Sequence, residues 1–196
     1  MPPARAHTHR ASARQQERLT TTTTILRRPR PRPPAPAPAT MASGALYNPP
    51  RDVTPEDRNS LMPLLRQLTS APDVSEEAFA ARVAMLNRDG DGDAMPRQFC
   101  VVVPRTSDNC IVATASVTFE YKLLRSCAVC AHVEDVVVDA SARGAGLGKM
   151  VVDACVQRAR AVEGCYKVIL DCAEKNVAFY EKLGFQRKEV QMAMYL

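Results

Sequence analysis

From residue 54 onward, apolar positions follow two periods. Thr54, Pro55 and Asp57 form a helix start: a capping hydroxyl, a proline at the first helical position and an acid three residues past the cap. Leu61, Leu64, Leu65 and Leu68 follow at helical spacing. Ser75, Glu76 and Glu77 open a second helix that aligns Phe79, Val83 and Leu86 on one face. The period then shortens. Residues 99–103, 111–120 and 131–139 are rich in Val and Thr and read as strands. Residues 148–162 return to the helical period, with Leu147, Val151, Ala154 and Val162 inward. Residues 166–171 read as a buried parallel strand, 176–183 as a short helix capped by Gly184, and 189–196 as a final strand. Helices, a strand meander and then alternating strand and helix predict an α/β (α+β) domain on a mixed sheet flanked by helices.

Composition changes this picture only at the N-terminus. The formal net charge is +5, which for the whole chain would suggest an acidic partner. Residues 1–40, however, carry eight Arg against one acid (Glu17) and eight of the 15 prolines, whereas residues 41–196 carry 18 basic and 20 acidic residues. The chain therefore divides into a disordered basic tail, 1–40, and a slightly acidic domain, 41–196. Translation from Met41 is an alternative start. Arg28, Pro31 and Pro34 match a polyproline-ligand spacing, as chance allows in so biased a stretch. No apolar run is long enough to span a membrane, and no secretory apolar centre is present, so a cytoplasmic protein without membrane or nucleic-acid partners is expected, with organelle targeting by the Arg-rich, acid-poor tail as the alternative.

Seven cysteines, mostly inside apolar runs, predict buried thiols in a reducing compartment. Cys127 and Cys130 lack a second ligand pair for zinc and read as strand thiols. The loop from Asp89 to Asp93 imitates a calcium loop but has Ala94 at the glycine position and Cys100 at the glutamate position, so it reads as a solvated turn. His132 is the sole histidine after the tail, which makes a histidine-based triad implausible.

The sharpest motif is Arg143-Gly144-Ala145-Gly146-Leu147-Gly148-Lys149, between a valine-rich strand and a helix. Glycines, a helix N-terminus and two cations suit a pyrophosphate. A P-loop needs four residues between its glycine and Gly-Lys, and a dinucleotide fingerprint needs glycine where Lys149 stands; both fail. The Arg-Gly-x-Gly-x-Gly spacing resembles the acyl-CoA loop of the GNAT acetyltransferases. His132 to Asp139 is similar to the strand before that loop, where a bulge frees backbone groups for the pantetheine arm. Asn176, Tyr180, Gly184 and Phe185 match the superfamily's second cofactor element. The segments Glu134 to Val138, Gly164 to Cys172, Asn176 to Phe185, Glu189 to Met192, Phe119 to Arg125, and Leu68-Thr69 followed by Val74, Ser75 and Phe79 resemble one branch, the glucosamine 6-phosphate N-acetyltransferases, over residues 47–196.

The resemblance implies a GNAT fold. It also implies acetyl transfer from acetyl-CoA to the amine of D-glucosamine 6-phosphate in UDP-N-acetylglucosamine biosynthesis, a homodimer and no metal. Val136, Val137, Val138, Arg143, Gly144, Ala145, Gly146, Leu147, Gly148, Lys149, Asp171, Asn176, Tyr180 and Lys182 would bind the cosubstrate. Thr69, Lys122, Arg125, Glu134, Asp135, Val136, Tyr166 and Lys167 would bind the sugar phosphate. Tyr180, Asp171 and Glu134 would be catalytic, with Tyr180 discharging the thiolate. Several relatives have His in place of Arg125, and some a basic residue where this chain ends. As strand neighbours, Glu134 and Asp135 should point to opposite faces. Two alternatives stand beside this reading: a GNAT enzyme for a protein amine or another amino sugar, and a non-catalytic CoA-binding scaffold.

Overall fold

The computed structural model describes residues 46–86 and 97–195. The tail of residues 1–40 and the calcium-like loop lie outside them. Five strands form one mixed sheet in sequential order: β1 (Arg51–Asp52), β2 (Gln98–Pro104), β3 (Ile111–Tyr121), β4 (Val129–Val138) and β5 (Cys165–Leu170). All neighbours are antiparallel except β4 and β5, which are parallel. A parallel pair needs a crossover, and helix α4 (Leu147–Ala161) supplies it.

Alternation along the strands fills two cores. Phe99, Val101, Ala113, Ala115, Val117, Ala131 and Val133 meet Leu147, Val151, Cys155 and Ala159 of α4 on one face. On the other, Val102, Ile111 and Val137 meet Leu61 and Leu64 of α1 (Arg58–Leu65) and Phe79 and Val83 of α2 (Glu76–Leu86). Leu68 lies beyond α1 and is exposed. Asp57 anchors the entry to α1. Its carboxylate accepts from both terminal nitrogens of Arg51 at 2.7 Å and from the Thr54 N–H at 2.8 Å.

Three expectations change. Residues 189–195 form no strand: Val190, Met192 and Met194 alternate as a strand would, but all are exposed and the outer edge of β5 pairs with no described strand. Alternation marks a face only when something covers it. Second, only Cys130 and Cys155 are buried; Cys127 and Cys172 are exposed, and Cys127 lies not on a strand but in α3 (Leu124–Cys127), a four-residue turn with left-handed backbone at Arg125 and Ser126. All seven thiols are free, and shielding from water pushes those of half-buried Cys100 and buried Cys155 up to about 11 and about 12. Third, the short helix α5 covers Val177–Lys182, with Asn176 closing a preceding 3-10 turn.

Candidate active site

Strand β4 changes character at its middle. Opposite Thr114 to Ser116 on β3, it spends one extra residue between Glu134 and Val137, and Asp135 takes a left-handed φ of 53°. This is a bulge. Pairing with β5 ends at Val133 and Leu170, while pairing with β3 continues to Val138. From Glu134 to Val138, the side of β4 that faced β5 is therefore an open strand edge. The expected Val136, Val137 and Val138 lie on it; Val137 is buried, and Val136 and Val138 pack against the α4 core.

That edge runs into the glycine loop. Asp139 turns the chain by accepting from the Ser141 N–H at 2.8 Å. Gly146 then caps α4 with φ 79° and ψ 3°, a conformation that costs other residues roughly 1–2 kcal/mol. The first intrahelical bond runs from the Met150 N–H to the Gly146 carbonyl at 3.1 Å, and no side chain caps the helix. The N–H groups of Leu147, Gly148 and Lys149 are the orphan donors of a helix start, suited to an anion. Leu147 sends its side chain into the core and contributes only backbone. Arg143 Nε donates to the Val138 carbonyl at 3.3 Å, and Lys149 pairs with Asp153 one turn on. Gln67 ties the α1–α2 loop, which carries exposed Thr69, to this corner through Asp139 and the Ala140 N–H at 2.8 and 2.9 Å.

Gly148 has a different task. A Cβ there would lie 3.1 Å from Phe179 Cζ and 3.7 Å from Val138 Cγ2. Its absence lets α5 close on the loop. Phe179 stacks edge-on against Tyr180 at 4.9 Å, and Phe185 does so at 6.0 Å, leaving Tyr180 8 % exposed. Burial, then the nearby Cys172, raises the Tyr180 phenol above its ordinary 10. The phenol keeps its proton at neutral pH and is available as a donor. Asn176 and Lys182 flank it at the two ends of α5, both exposed.

A polar row crosses the sheet on the face away from α4. Lys122 Nζ binds the Glu120 carboxylate. Nδ1 of His132 lies 3.8 Å from Glu120 and 3.6 Å from Glu134; its Nε2 lies 3.2 Å from Asp171 Oδ2. Gln191 Nε2 donates to the same Asp171 oxygen at 2.7 Å. The hydrogen bond to Lys122 lowers the Glu120 carboxyl and raises the ammonium. Glu134 and Asp135 do not point to opposite faces. Asp135 lies 3.4 Å from the Ser116 hydroxyl, on the face that carries His132 and Glu134, because the bulge residue breaks the strand's two-residue alternation. Beyond Lys122, the Arg125 guanidinium stacks on Tyr166 at 4.9 Å, with Lys167 Nζ 5.7 Å from the same ring.

The structure thus gathers Lys122, Glu134 and Asp171 along one row, Arg125, Tyr166 and Lys167 beside it, and the β4 edge, the glycine loop and, through Phe179, Tyr180 at a separate corner. Glu120, His132 and Gln191 were not singled out from the sequence. The Phe119-to-Arg125, His132-to-Asp139 and Glu189-to-Met192 segments contain them, but their contacts join distant parts of the chain. Among the described residues no helix is long and apolar enough to cross a membrane.

Residues 62–185 match the Acetyltransferase (GNAT) family. A glucosamine 6-phosphate N-acetyltransferase of Arabidopsis thaliana is 42% identical over 140 residues, covering 71% of this chain and 90% of that protein. The Trypanosoma brucei brucei protein of that name is 42% identical over 142 residues, with the same two coverages. The crystal structure of the Arabidopsis thaliana enzyme superposes with a TM-score of 0.69 at 38% identity, over 76% of this chain and 97% of the other. A sheet that opens at a β4 bulge into a glycine loop, matched at this identity over nearly the full length of these relatives, shows that the chain belongs to the GNAT acetyltransferase family, among the glucosamine 6-phosphate N-acetyltransferases.

Proposed function

We propose that this protein transfers the acetyl group of acetyl-CoA to the amine of D-glucosamine 6-phosphate, releasing CoA and supplying N-acetylglucosamine 6-phosphate for UDP-N-acetylglucosamine synthesis. One arrangement carries the reading: the open β4 edge leads into the uncapped start of α4, Tyr180 is held against that corner, and a carboxylate row with cations at one end crosses the sheet. Acetyl-CoA supplies an acetyl thioester. The residues fit it, since the β4 backbone at Val136 to Val138 offers strand-type hydrogen bonds to a pantetheine arm and residues 143–149 offer N–H groups and charge to a pyrophosphate. Asn176 and Lys182 extend that surface along α5.

The chain's own groups divide the remaining work. Lys122, Arg125 and Lys167 hold the sugar phosphate, and Tyr166 seats Arg125. Thr69, Glu134 and Asp135 orient the sugar. Asp171 directs the amine and accepts its proton, so that the lone pair attacks the thioester directly. Tyr180 donates its proton to the departing sulfur.

The active form is a homodimer. Leu123, Val190, Met192, Met194 and Tyr195 are each more than four-fifths exposed, Leu124 nearly so, and a groove of about 1140 Å³ runs along β5 between α4, α5 and the C-terminal segment. An uncovered sheet edge beside so much apolar surface calls for a protein partner. The seven free thiols suit the cytoplasm.

The test is CoA release with glucosamine 6-phosphate, glucosamine and a panel of amine-bearing peptides. The expected outcome is turnover led by the sugar phosphate. A peptide with a higher kcat/KM would make this a protein acetyltransferase, and silence with every amine would favour the scaffold. Light scattering on the full chain and on a form ending at Lys188 should give a dimer and a monomer.

A further inference from the structure

His132 occupies the centre of the polar row, and nothing in the acyl-transfer scheme above uses it. Its ring is mostly shielded, with 18 % of the side chain exposed. It faces four groups: Glu120 from β3, Glu134 from its own strand, Asp171 after β5, and, through Glu120, the Lys122 ammonium. A carboxylate only accepts, so the 3.2 Å contact between His132 Nε2 and Asp171 Oδ2 requires the proton on Nε2. Gln191 Nε2 donates to that same oxygen at 2.7 Å.

We infer that His132 is a positioning residue for acetyl transfer: it and Gln191 hold Asp171 by Oδ2, which turns Oδ1 toward the substrate amine. An exposed carboxylate on a loop would otherwise rotate freely about its terminal torsion and present either oxygen. Two N–H donors on one oxygen remove that freedom and leave the second oxygen to direct the amine lone pair and take its proton. The row also links the two ends of the substrate. Lys122, on the phosphate side, holds Glu120, and Glu120 and Glu134 flank Nδ1 of the ring that holds Asp171 on the amine side. The inference rests on the role given to Asp171 in the proposed function.

Two measurements test it. In steady-state kinetics, His132→Ala should lower kcat about 10- to 100-fold, as a misplaced reacting group does, while both KM values stay within about threefold. His132→Gln, whose amide N–H reaches the same oxygen, should recover most of the loss. A purely structural ring would instead lower the melting temperature, raise both KM values and show no rescue by Gln. The second measurement needs no turnover. Histidine-labelled full-length protein has three histidines, and the His132 imidazole signal is identified by its loss in His132→Gln. Its Nε2 should be protonated at neutral pH and should shift in Asp171→Asn. A bare Nε2, or one indifferent to Asp171→Asn, overturns the inference even if the enzyme is active. Absence of wild-type turnover with the sugar phosphate would overturn the proposed function alone.

Discussion

Tyr180→Phe separates a catalytic phenol from a packing ring. The substitution keeps the ring, so the edge-on contacts with Phe179 and Phe185 at 4.9 and 6.0 Å survive, and only the hydroxyl is lost. Stability should change by less than about 1 kcal/mol, which for a chain of this size is a melting shift of roughly 2–4 °C. The cost falls on the transition state. A hydrogen bond to a charged acceptor contributes about 1.5–3 kcal/mol, so losing the one to the developing thiolate should slow the chemical step about ten- to a hundredfold. Burial keeps the phenol protonated at neutral pH, so the wild-type donor is fully populated in the assay. Single-turnover quench with chromatographic detection of CoA reads that step directly. A thiol dye would also report exposed protein cysteines such as Cys127 and Cys172. The expected pattern is a slower chemical step with unchanged KM for acetyl-CoA. A rate within twofold of wild type, or a raised KM with an unchanged rate, would mean that Tyr180 only packs.

Gly146→Ala should cost roughly 1–2 kcal/mol, since Gly146 caps α4 with a left-handed φ of 79°, and should raise KM for acetyl-CoA more than it lowers kcat; thermal melts and saturation curves read both effects. Lys122→Ala should raise KM for the sugar phosphate several-fold, with a shallower salt dependence, and leave KM for acetyl-CoA in place. Asp57→Asn should destabilise the fold by about 1–3 kcal/mol, toward the lower end because Arg51 is 39 % exposed; chemical denaturation measures this. Burial alone would raise the Asp57 carboxyl, but the two Arg51 donors and Thr54 outweigh it and hold the group below its ordinary 3.8. Its stabilisation is therefore present above pH about 4 and lost as pH falls through the lower folded value. The acid limb of the unfolding curve should weaken in Asp57→Asn.

Much of this protein is determined by local rules that a sequence displays. Strands β2, β3 and β4 and helix α4 follow from the period of their apolar residues, since a pleat repeats every two residues and a helix turn every 3.6. The glycine loop is legible because glycine alone takes the left-handed cap at residue 146 without a steric cost. Other features depended on neighbours far along the chain. Residues 189–196 read as a strand, but alternation makes a strand only where the backbone pairs, and residues 189–195 do not pair with the open edge of β5. Glu134 and Asp135 share a face because pairing with β3 forces a bulge between Glu134 and Val137, and register is a property of two strands. As the sole histidine of the domain, His132 argued only against a histidine-based triad. The parallel pairing of β4 with β5 brings Asp171 to its Nε2 and the antiparallel pairing with β3 brings Glu120 to its Nδ1. Sequence alone thus determined strands β2 to β5, helices α1, α2 and α4, the glycine loop and the family. The tertiary structure decided how Glu120 and Asp171 meet the ring of His132, because those contacts join residues 12 and 39 positions apart and exist only once the sheet has set its registers.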